Sequence, residues 1–78
     1  MPNGLSNWTG GAVIKFLKGF GFTHDHTRGS HFYYSGKYEG IDRLVTISMH
    51  TKSGVIPTGT MKGIIAQSGI SESIWRKG

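Results

Sequence analysis

The sequence predicts an α+β fold in which a three-stranded antiparallel sheet carries both helices on one face. Three observations support this. Apolar residues recur at helical spacing near each end of the chain. Between them lie runs rich in β-branched and aromatic residues. Thirteen glycines, standing singly apart from Gly10-Gly11, act as punctuation of short elements and not as a linker. At 78 residues the chain is read as a single domain, residues 1–78. A chain of this size buries only about 60% of its unfolded surface, so its core is thin. Both helices must cover their apolar stripes, and one face of the sheet is the economical place.

The first helix follows Thr9, a good N-cap residue, with Trp8 placed to pack on Val13 as a hydrophobic staple. Ala12 leaves the capping box incomplete. Val13, Ile14, Leu17 and Phe20 share helical spacing, and Gly19 or Gly21 stops the helix. A weak, polar first strand runs over Phe22 to His26, and a better one over Ser30 to Ser35. The best strand is Arg43 to Met49. Ser35-Gly36 opens a connection that runs to about Asp42, long for a tight hairpin. Thr51 to Pro57 reads as a loop. A second helix carries Met61, Ile64 and Ile65, capped by Thr58 or Thr60, with Gly63 as an internal cost. Gly69 ends it in a Schellman stop, with Ile70 folding back on Ile65. Ser71 caps a last short turn holding Ile74 and Trp75.

Strand alternation sorts the faces. Val45, Ile47 and Met49 share the helix-covered side, so Thr46, Ser48 and His50 share the open one. Phe32 and Tyr34 suit the core, which turns His31 and Tyr33 outward. Phe16, Phe20, Phe22, Phe32, Val45 and Ile47 are assigned to the core. Trp75 is read as a lid over it, with an exposed, partner-binding role as the alternative. His24 and His26, two residues apart, fall on one strand face with Asp25 on the other. A solvated polar strand accounts for them better than a metal site.

Composition narrows the function. No cysteine is present, which removes disulfides and thiolate zinc sites. Nine Lys and Arg against four Asp and Glu give +5, which favours a polyanion such as nucleic acid, or an acidic protein. No segment approaches the roughly 20 apolar residues of a membrane span. The N-terminus lacks signal-peptide features, so the expected location is the cytoplasm.

Gly29-Ser30-His31 introduces a resemblance. Taken with Gly21-Phe22, Ile47-Ser48-Met49-His50, Gly59-Thr60-Met61 and Gly69-Ile70-Ser71, it makes the chain similar to the HicA (YcfA-like) family of mRNA interferase toxins, from about Thr9 to Ile74. The resemblance implies a double-stranded-RNA-binding-domain-like fold, α-β-β-β-α, and an endoribonuclease that cleaves mRNA and inhibits translation. It implies His31 as the catalytic residue and a HicB-like antitoxin as the partner that covers the active site. No cofactor and no metal are expected, because RNA can be cut without a metal. Where the family often has Val-Pro-x-His, this chain has Ile47-Ser48-Met49-His50, and its stretch from Tyr38 to Asp42 reads as longer than typical. The alternative function is a non-catalytic RNA-binding module of the same fold.

RNA carries its own nucleophile, the 2′-hydroxyl. The protein must supply a base, charge stabilisation and an acid for the leaving 5′-oxygen. Imidazole suits the base role because its unperturbed pKa is about 6.5. His31 is the candidate base. His50 is a candidate acid or phosphate contact, or else a strand-end residue bonded only to a loop. Gly29 admits a close RNA backbone, and Ser30, facing the core in a regular strand, positions at most. The start of the second helix offers N–H groups at Gly59, Thr60 and Met61, with Lys62 in the same turn. A capped, solvated helix start is the equal alternative. Arg28, Lys37, Arg43 and Lys52 flank the open face, and Lys15 and Lys18 extend it. Tyr33 stacks on a base or packs at the core edge.

Overall fold

The computed structural model describes residues 4–48 and 54–78. Helix α1 spans Gly10–Gly19, and Thr9 Oγ1 accepts from the Ala12 N–H at 3.1 Å. This satisfies one of the donors that every helix start leaves open. Trp8 is buried in the same core cluster as Val13, and its ring also meets Phe16 edge-on at 5.6 Å and Trp75 at 5.2 Å. The helix ends where Gly21 takes φ 88°. Gly21 N–H donates to Lys18 O and Phe22 N–H to Leu17 O, which is the full Schellman pattern.

Three strands follow: β1 at Thr23–Arg28, β2 at His31–Tyr38 and β3 at Ile41–Ser48. They pair antiparallel in the order β1-β2-β3. Both connections are two-residue turns. Gly29-Ser30 joins β1 to β2, with Gly29 at φ 58°. Ser30 therefore lies in a turn and not on a core-facing strand position. Glu39-Gly40 joins β2 to β3, with φ 54° and 77°. Positive φ at both central residues is the type I′ geometry that matches strand twist. The long connection expected from Ser35 to Asp42 is thus wrong: β2 runs through Gly36. That glycine serves packing. A Cβ there would sit 2.7 Å from the buried Phe22 ring.

One face of the sheet is covered. Tyr34, Val45 and Ile47 join Val13 and Leu17 of α1 in a core cluster. Helix α2, Thr58–Ser68, adds Met61, Ile64 and Ile65. Its N-cap is Pro57, with no side-chain cap bond, so neither Thr58 nor Thr60 caps it. Gly69 stops it at φ 73°, donating to Ile65 O. The next N–H, of Ile70, turns to Ser68 Oγ at 3.1 Å, so this end is the simpler left-handed stop and not a Schellman motif. Buried Ser68 also donates to Ile65 O and accepts from Trp75 Nε1.

A third short helix, α3 at Glu72–Arg76, carries Trp75 into the core at 0% exposure. Its ring stacks on Phe16 at 3.9 Å. It is a core residue, not a lid, and no surface is left for an exposed partner-binding role. Phe16, Phe20 and Phe32 are half-buried at the core margin. The segment before α2 is tied back by a Thr9–Val55 bridge and by Ile56 N–H to Trp8 O at 2.6 Å. Among the described residues no helix is long and apolar enough to cross a membrane.

Candidate functional site

The uncovered face of the sheet is built from cross-strand rows. His31 opens β2 and is exposed; it faces Arg28 on β1 and Ser48 on β3. Tyr33 forms the next row with His26 and Thr46. Ser35 and Leu44 pair in the row after that. Directly opposed positions on one face have Cβ atoms about 4.5–5.5 Å apart. The Arg28 guanidinium therefore lies within reach of whatever the His31 imidazole touches. Because the Gly29-Ser30 turn is so short, these two side chains are fixed relative to each other by one tight hairpin.

A β-bulge in β1 changes the histidine assignment. The register slips between His24 and His26, leaving Asp25 as the extra residue. His24 consequently pairs with Tyr34, touches the Tyr34 and Phe32 rings edge-on at 5.5 and 6.2 Å, and bonds Thr27 Oγ1 at 2.9 Å. His26 turns to the open face, where its ring lies flat on Tyr33 at 4.3 Å and 7°. The expectation that His24 and His26 share a face is therefore corrected. Bulges re-aim side chains in this way, and nothing in the local sequence announces one. Asp25 folds back to bond His26, with Oδ2 2.8 Å from Nδ1.

Tyr33 is half-buried, and the stacked His26 already occupies one of its ring faces. Gly29 stands open at the hairpin tip, with nothing within 4 Å of an added Cβ. Arg43 is displaced from the expected group. It pairs with Gly36, on the helix-covered side, and its guanidinium lies against Gly69, with Nε buried and unpartnered. Lys15 belongs to the helix layer, where it edges a groove of about 430 Å³ with Trp8, Phe16, Phe20, Ile74 and Lys77. Neither residue extends the open face. Lys37 does lie on that face, at its far end, weakly paired with Asp42 at 3.9 Å. Arg28 makes no ion pair among the described residues. His50 and Lys52 lie outside the described residues.

Thr60 and Lys62 sit exposed in the first turns of α2. The helix runs antiparallel to β3. Its C-terminal end descends along that strand, with Gln67 Oε1 on Thr46 N–H and Gly69 further back against Arg43. Its N-terminal turn is thereby directed toward the Ser48 end of β3, the end at which His31 stands. Met61 N–H is already used by Pro57 O at 2.9 Å, so the open donors begin at Thr58, Gly59 and Thr60.

A profile describing the HicA toxin of bacterial toxin–antitoxin systems matches residues 10–70. The chain belongs to the HicA toxin family. The match takes in α1, the whole sheet and α2, and so contains every part of the open face described above. The α-β-β-β-α order agrees with the double-stranded-RNA-binding-domain-like fold. No curated protein and no solved structure matches the chain significantly.

Proposed function

We propose that this HicA toxin is a metal-independent endoribonuclease that cleaves mRNA, with His31 as general base, and so inhibits translation. The observation that carries the reading is the exposed imidazole at the head of β2 with the Arg28 guanidinium opposite it on the same face. His31 takes the proton of a ribose 2′-hydroxyl. The activated oxygen attacks the adjacent phosphorus, and Arg28 stabilises the charge that builds on the phosphoryl oxygens. Strand placement holds the base more rigidly than a loop does. Thr60 and Lys62, with the uncapped N–H groups of α2, bind a flanking phosphate. Gly29 admits the backbone of the RNA. Tyr33 offers an aromatic surface to a base beside the cut.

Family membership implies an antitoxin, and we propose that a HicB-like protein covers this face and hides His31 from RNA. The reaction belongs in the cytoplasm, where mRNA is found. The test is cleavage of RNA by purified protein in EDTA, beside His31→Ala. Cleavage by the wild type and not by the variant is expected. Intact RNA after long incubation, together with salt-sensitive binding, would instead make the chain a binding module without chemistry.

A further inference from the structure

Resting on the nuclease reading above, we propose that His26 is the general acid that protonates the departing 5′-oxygen, completing a two-histidine pair with His31. Four observations converge on it. The bulge at Asp25 turns His26 onto the open face. The pairs His26–Tyr33 and Arg28–His31 stand two positions apart along the same two strands, so His26 and His31 are diagonal neighbours. Diagonal neighbours on one face lie about 7–8 Å apart, a gap that one phosphodiester group spans. Finally, the ring is held on two sides, by the flat Tyr33 stack at 4.3 Å and by Asp25 Oδ2 at 2.8 Å from Nδ1.

That hold decides which nitrogen works. With Nδ1–H donating to the Asp25 carboxylate, the exchangeable proton of the imidazolium sits on Nε2. The parallel Tyr33 ring fixes the plane of the imidazole. In the step, the 2′-hydroxyl proton passes to His31 and the O2′–P bond forms. The P–O5′ bond breaks as Nε2–H of His26 gives its proton to O5′. The products are a 2′,3′-cyclic phosphate and a 5′-hydroxyl, and the two imidazoles have exchanged charge states. Arg28 lies opposite His31 in the same cross-strand row, facing the phosphoryl oxygens. Asp25 and Tyr33 are positioning residues.

The experiment compares two substrates. An RNA oligonucleotide cut by the wild type at a mapped position is remade with sulfur replacing the bridging 5′-oxygen there. A thiolate leaves without protonation, so it needs no acid. His26→Gln should cleave the ordinary oligonucleotide about 10²–10⁴-fold more slowly than the wild type. On the sulfur substrate it should return to near the wild-type rate. His31→Ala should stay slow on both. His26→Gln that cuts ordinary RNA normally, or that sulfur fails to rescue, overturns the acid assignment while leaving His31 in place. Wild-type protein that cuts no RNA, leaving no position to map, overturns the nuclease reading itself. Thermal melting checks that the variants fold. Should His26→Gln unfold, Asp25→Asn replaces it, with a smaller loss on oxygen and none on sulfur; equal losses on both would reject the pair.

Discussion

Removing the His31 imidazole deletes the proposed proton acceptor and little packing, because the side chain is exposed. His31→Ala should therefore melt within about 0.5 kcal/mol of the wild type while its cleavage rate falls about 10²–10⁴-fold. Thermal denaturation beside a cleavage time course reads both quantities. Arg28→Ala should act on affinity first. If its guanidinium meets one phosphate, the slope of log affinity against log salt for single-stranded RNA should shrink by about 0.7, as titration at several salt concentrations would reveal. An unchanged slope would take Arg28 off the RNA. His31 was legible in the sequence, since alternation with Phe32 and Tyr34 turns it outward and Gly-Ser-His marks it. His26 was not. A bulge shifts every later residue to the other face, and the polar run Thr23-His24-Asp25-His26 holds no apolar residue whose burial would reveal the slip.

At the scale of elements, Gly36 and Gly63, both inside regular structure, have opposite roles. Gly36 lies under the Phe22 ring, where a Cβ would come within 2.7 Å of a rigid, buried neighbour. Gly36→Ala should cost about 1–3 kcal/mol, by overpacking. Gly63 lies exposed in the middle of α2 with open space around it. Gly63→Ala should stabilise by up to ~1 kcal/mol. Urea denaturation of both variants checks the pair, and a neutral Gly36→Ala would contradict the packing described here. The same residues explain what the sequence hid. Gly36 resembles a turn signal because backbone freedom and a missing side chain look alike in one letter, so β2 seemed to end early. Glu39-Gly40 then passed unnoticed as a hairpin, since glutamate rarely takes positive φ. The apolar spacings of α1 and α2 were plain because core burial repeats every turn.

Across the whole molecule, one covered face and one bare face divide the labour. The core cluster fixes the sheet from behind, and two tight turns hold residues 26–48 as a continuous working surface. The +5 charge is spread over both layers, so on the proposed reading it would draw RNA toward the protein without selecting the face. In the mechanism we propose, selection comes from the row of Arg28, His31 and Ser48, at the end of the sheet near which α2 begins. Element order and the identity of the buried face followed from periodicity. The placement of Arg43 and Lys15 away from that surface did not, because charge count carries no direction. The most direct test of the mechanism is the chemistry of the cut ends. RNA cleaved by purified protein in EDTA should end in a 2′,3′-cyclic phosphate, with a 5′-hydroxyl on the downstream fragment. Fragments bearing a 3′-hydroxyl and a 5′-phosphate would mean that water, and not the ribose oxygen, attacks, and the role assigned to His31 would be wrong.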